Sequence, residues 1–191
     1  NHIFDITFGY SNNSDLSASS NVQNEDKINI YNQMAQLLVG HDTDGNIRDF
    51  DEDGNLSSGD KITDCYFINF ARLLQKDEIK KGSFELELGV SGAASPTTDG
   101  KLVSFDGANF ETTIKIQDAS GSNSYKINSP AGEYGILFAT SSDVTAEPAL
   151  NLLSTGVPCG LIYYQAGVAV LSGSIFKDEN MAIAKGGGGI L

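Results

Sequence analysis

Gly160-Leu161-Ile162-Tyr163-Tyr164-Gln165-Ala166-Gly167-Val168-Ala169-Val170-Leu171 lies inside a passage without a single charge, from Pro148 to Phe176. Such a passage is long enough to cross a bilayer. It is interrupted, however, by Gly156, Pro158, Gly160, Gly167, Gly173, Asn151, Gln165 and three serines. Its apolar runs, Leu161-Ile162-Tyr163-Tyr164 and Val168-Ala169-Val170-Leu171, are short and rich in β-branched and aromatic side chains. That pattern predicts two buried strands joined at Gln165-Ala166-Gly167, and a soluble protein in place of a membrane helix.

The same signals recur on either side. Residues 3–10 (Ile-Phe-Asp-Ile-Thr-Phe-Gly-Tyr), 65–70 (Cys-Tyr-Phe-Ile-Asn-Phe) and 134–139 read as strands. In 83–90, Phe84, Leu86 and Leu88 alternate with Glu85 and Glu87, the period of a half-buried strand. Shorter strands are expected at 102–105, 111–117 and 125–128, with edge strands at 174–177 and 181–184. Residues 11–24 and 91–100 read as loops, as does the polar stretch through Ser154, and 71–81 as a short helical turn. One good helix is expected near residues 26–39. There Ile28, Tyr31, Met34/Ala35 and Leu38 recur at helical spacing, Asn24 stands at the cap and Gly40 closes the end. The expected fold is mainly β (α+β). It is one antiparallel β-sandwich-like domain over 1–185, with an acidic insertion at 42–64, no internal repeat, and a Gly-rich tail at 186–191.

Composition agrees and removes some functions. Gly is frequent (21) and Pro rare (4), which suits many short strands and tight turns. With 40% apolar and only 19% charged residues the chain can build a core, so general disorder is excluded. Acids outnumber bases 25 to 12, for a net charge of −13, and no Lys/Arg cluster offers itself to a phosphate backbone. No nucleic-acid partner is expected. The chain begins Asn1-His2-Ile3 without Met and without a basic-then-apolar leader, as expected of a processed product, a fragment or an incomplete sequence. The two cysteines, Cys65 and Cys159, read as buried thiols, and a disulfide between them stays open. With no CxxC or CxxH and only His2 and His41, zinc is excluded.

Residues 42–64 hold eight acids against Arg48 and Lys61. Within them, 49–60 (Asp-Phe-Asp-Glu-Asp-Gly-Asn-Leu-Ser-Ser-Gly-Asp) follows the calcium-loop template. Asp49, Asp51 and Asp53 stand at positions 1, 3 and 5, Gly54 at the sharp turn, and Asn55 where a backbone carbonyl ligates. Ser57 is at position 9, and Asp60 closes the loop with a shorter arm than the usual Glu. A hard cation needs six to eight oxygens, and one short turn can converge them. The competing reading is a plain acidic β-turn insertion, because Asp and Asn favour hairpin tips and no helix pattern precedes Asp49. Calcium is the one cofactor the sequence admits, and its role would be structural.

No catalytic constellation is visible. Neither histidine belongs to a Ser/Asp or Cys arrangement, and there is no GxSxG, Walker or GxGxxG motif. Glu85 and Glu87 lie on the outward face of an alternating strand, and Tyr163-Tyr164 places one ring in the core and the other at a surface or interface. The expectation is no enzyme.

Two blocks carry a resemblance. One is 26–40 (Asp-Lys-Ile-Asn-Ile-Tyr-Asn-Gln-Met-Ala-Gln-Leu-Leu-Val-Gly), continuing into 65–84 (Cys-Tyr-Phe-Ile-Asn-Phe-Ala-Arg-Leu-Leu…). The other is 134–139 (Tyr-Gly-Ile-Leu-Phe-Ala) followed by 160–171. Together they resemble virion structural proteins of large contractile-tailed phages, the marine and cyanophage type that includes VrlC-like sequences. The resemblance implies one domain of a tail, baseplate or neck component located in the virion. It implies assembly with other virion proteins and with further copies of itself as a homo-oligomer, and no transferable catalytic residue. A calcium-stabilised extracellular adhesion or carbohydrate-binding β module is the alternative.

Overall fold

The two apolar runs are paired strands at the centre of the molecule. The computed structural model describes residues 3–18, 22–56, 59, 61–74, 78–90, 112–141 and 157–173. Along them run β1 (Asp5–Tyr10), a 3-10 turn (Asp15–Ala18), α1 (Val22–Leu38), β2 (Phe50–Asp51), β3 (Lys61–Ile62) and β4 (Asp64–Asn69). A second 3-10 turn (Ala71–Leu73), β5 (Glu85–Val90), β6 (Thr112–Gln117) and α2 (Gly121–Ser124) follow. The series ends with β7 (Lys126–Ser129), β8 (Gly132–Ser141), β9 (Val157–Tyr163) and β10 (Val168–Ser172). The fold is mainly β with one substantial helix. An antiparallel sheet has the order β1-β4-β10-β9-β8-β6-β5, with β7 added beside β8, and β2 and β3 form a separate pair.

Strand register explains why the central strands are apolar on both sides. Ile6, Ile68, Ala169, Ile162 and Gly135 form one row across five strands, and Thr7, Phe67, Val170, Leu161 and Ile136 form the next. Successive residues point to opposite faces, so the two rows feed different cores. Ile68, Ala169 and Ile162 join Ile116, Leu137, Tyr164 and Leu171 on one face, while Phe67, Val170 and Leu161 join Tyr134 and Tyr163 on the other. Each fully buried side chain of this size contributes about 1.5–3 kcal/mol.

The sheet curls over the first core. Phe84, Leu86 and Leu88 pack against it from the β5 edge, and the Phe84 ring meets Phe70, just past β4, at 5.6 Å. The second core is roofed by α1 and the acidic segment, which supply Tyr31, Ala35, Leu38, Val39, Phe50 and Ile62. Helix α1 seats itself where β1 has no side chain. A Cβ on Gly9 would stand 2.8 Å from the Tyr31 nitrogen and 2.9 Å from the Lys27 carbonyl oxygen. Gly40, at φ +83°, ends the helix in the left-handed conformation that glycine adopts without penalty, and its N–H donates to the Ala35 carbonyl at 3.0 Å.

Several sequence expectations change. The helix starts at Val22, inside the stretch read as loop, and Asn24 is a helical residue whose side chain accepts the Tyr10 hydroxyl at 2.5 Å. Among the described residues of the expected turn at 71–81, Ala71–Leu73 alone is helical, as a 3-10 turn. Tyr163 and Tyr164 do point to opposite faces, yet both are buried, because both faces are covered. Cys65 and Cys159 are free buried thiols in different cores on opposite sides of the sheet, so no disulfide joins them. The expected strands at 102–105, 174–177 and 181–184 and the Gly-rich tail lie outside the described residues.

Candidate functional site

The acidic segment consists of two turns built to one plan. Asp42-Thr43-Asp44-Gly45-Asn46 and Asp51-Glu52-Asp53-Gly54-Asn55 share the string D-x-D-G-N, nine residues apart. In each, the first Asp side chain accepts the N–H of the third residue, Asp44 to Asp42 at 2.9 Å and Asp53 to Asp51 at 3.1 Å. In each, the glycine takes positive φ, +86° at Gly45 and +69° at Gly54. The His41–Ile47 bridge closes the first turn, and the β2–β3 pair leads into the second. Sequence reading missed this five-residue repeat because the twelve-residue calcium template claims only its second half.

The predicted ligands do not share one environment. Asp51 is fully buried and registered opposite Lys61, whose ammonium ion-pairs with it. Its other oxygen accepts the N–H groups of Asp53 and Gly54, both at 3.1 Å. Asp53 is exposed and accepts both the backbone N–H (2.9 Å) and the side-chain amide (2.6 Å) of Asn55. Hydrogen bonding, first with the Asp51 side chain and then from the Asn55 N–H, holds the Asp53 carboxyl below the usual aspartate value. Asp49 accepts the Asn13 amide at 3.2 Å. Asp60, Ser57 and Ser58 lie outside the described residues. Among the described residues no three His, Cys, Asp or Glu side chains gather as a metal-binding group.

The second turn is fastened to the sheet. The Tyr134 hydroxyl faces the Gly54 carbonyl at 3.1 Å and the Asn128 side-chain oxygen at 2.7 Å, and the Asn128 amide also donates to Gly54. Burial, and then the Asp51 charge, push the Tyr134 hydroxyl up to about 12. Leu56, next in sequence, has φ +64°, a conformation that costs a branched side chain about 1–2 kcal/mol. Its packing against the second core offsets that cost.

A second polar cluster left no sign in the sequence. Asp118 is buried, and one of its oxygens accepts the Tyr164 hydroxyl and the Gly82 N–H, both at 2.8 Å. The other oxygen has no partner among the described residues and lies over Gly121 and Gly135, where a Cβ would stand 2.1 and 2.8 Å from it. Burial first, then the bond to Asp118, raise the Tyr164 hydroxyl. Lys81 stands over the Tyr164 ring at 5.4 Å and pairs with Glu133 at 2.6 Å. This arrangement clamps the start of β5, the β6–α2 turn and the end of β9.

Among the described strands the main order ends in β1 and β5, and β7, which pairs β8 alone, exposes Ile127. At β5 the outward side chains are Glu85 and Glu87, with Lys115 paired to Glu85 at 2.9 Å, the charged guard that keeps an edge from pairing. At β1 the covering is partial. Gly9 and Tyr10 are buried beneath α1, but Asp5 to Thr7 are exposed. Ile3 (59%), Phe4 (42%) and Ile6 (57%) stand in solvent there, as does Leu73 (50%) just past β4. Phe4, Ile6 and Phe8 project on one face, and the Phe4 ring touches Phe70 at 5.7 Å and the Phe8 ring touches Tyr66 at 4.7 Å.

Among the described residues no helix is long and apolar enough to cross a membrane. Compared with known proteins, the chain matches no family model, no curated protein and no solved structure.

Proposed function

We propose that this chain is a structural component of a bacteriophage virion, in the tail, baseplate or neck, and that it acts through protein–protein assembly without a catalytic step. The observation that carries the reading is the open half of β1. Among the described residues no strand pairs with the outer side of β1, and an edge strand that exposes Ile3, Phe4 and Ile6 is of the kind a partner can join, whereas a protein that works alone guards such an edge. The guarded β5 edge on the same sheet makes the contrast internal to the molecule. The two polar clusters support the same reading, since both spend their hydrogen bonds on holding turns against the sheet. The sequence blocks that resemble contractile-tail virion proteins supply the particle. Neither a membrane nor a nucleic acid is a partner, in keeping with the net charge of −13.

Light scattering across a concentration series, with and without EDTA, tests this. Concentration-dependent oligomers indifferent to chelator are expected. A chain that stays monomeric throughout overturns the proposal. If such a monomer also melts earlier in EDTA, the reading passes to the calcium-stabilised adhesion or carbohydrate-binding module, because a ligand that binds only the folded state stabilises it by mass action.

A further inference from the structure

We draw no further inference here: the strongest candidate, the exposed apolar strip of Ile3, Phe4 and Ile6 along the outer half of β1, carries nothing beyond the assembly role already proposed, because nothing in the structure shows what covers it.

Discussion

Gly9→Ala tests how α1 is held on the sheet. The added methyl would stand 2.8 Å from the Tyr31 nitrogen, 2.9 Å from the Lys27 oxygen and 3.1 Å from the Ile30 Cγ2, where ordinary contact begins at 3.4 Å. Two of the three are helix backbone and cannot swing aside. The strand cannot retreat either, because Gly9 is registered with Cys65, which is fully buried. The helix therefore moves outward by about half an ångström, straining the Tyr31 hydroxyl bond to the Ile62 carbonyl (2.8 Å) and the Tyr10–Asn24 bond. Overpacking of this kind costs about 1–3 kcal/mol, and the stiffer unfolded chain returns about 0.4–1 kcal/mol. The net is a loss of about 1–2 kcal/mol, a fall in Tm of roughly 2–8 °C for a chain of this length. Circular dichroism melts at low concentration, with the exposed Thr7→Ala as control (within about 0.5 kcal/mol), measure it. An unchanged or raised Tm for Gly9→Ala refutes the close seating of α1 on β1.

Three further outcomes are expected. Tyr164→Phe removes one of the two donors to the buried Asp118 oxygen and is expected to cost about 1–3 kcal/mol in urea unfolding; a change under half of that would mean the clamp is not carried by this bond. Asp42 and Asp53 titrate below the ordinary aspartate value of 3.8, Asp42 chiefly because of the Asn46 N–H and Asp53 because of the Asp51 side chain. A depressed folded pKa means that their stabilisation is complete above the unfolded value and is lost as pH falls through the folded one. Carboxyl NMR is expected to place both midpoints below 3.8, and a midpoint above it contradicts the turn hydrogen bonds. Burial pushes the Cys159 thiol up to about 12 and raises Cys65 likewise, so neither is expected to react with a disulfide reagent at neutral pH until denaturant is added. Reaction of the native protein would place a thiol outside its core.

What could be read from the sequence follows from where the physics is local. The apolar runs at 161–164 and 168–171 were legible because strands buried on both faces must be continuously apolar, and β5 because its alternation matches a half-covered strand. The helix start was not, because Val22 is 85% exposed and Asn24, a good capping residue, is used at a distance by Tyr10. Both rings of Tyr163-Tyr164 are buried because the curled sheet and α1 cover both faces, which no local pattern announces. Asp118 is one of 25 acids and is set apart only by the glycines and the tyrosine that the fold brings to it. In the acidic segment the residue types were legible, but the ion pair of Asp51 with Lys61 depends on strand register, which spacing alone does not fix.

Hydrogen exchange over residues 3–10, compared between dilute and concentrated protein, tests the central claim most directly. If β1 is the assembly edge, its amides exchange more slowly in the concentrated sample, with the added protection confined to the open half, while residues 85–90 of the guarded edge exchange alike in both. Equal exchange of β1 at the two concentrations, in a sample that light scattering shows to be oligomeric, would contradict it.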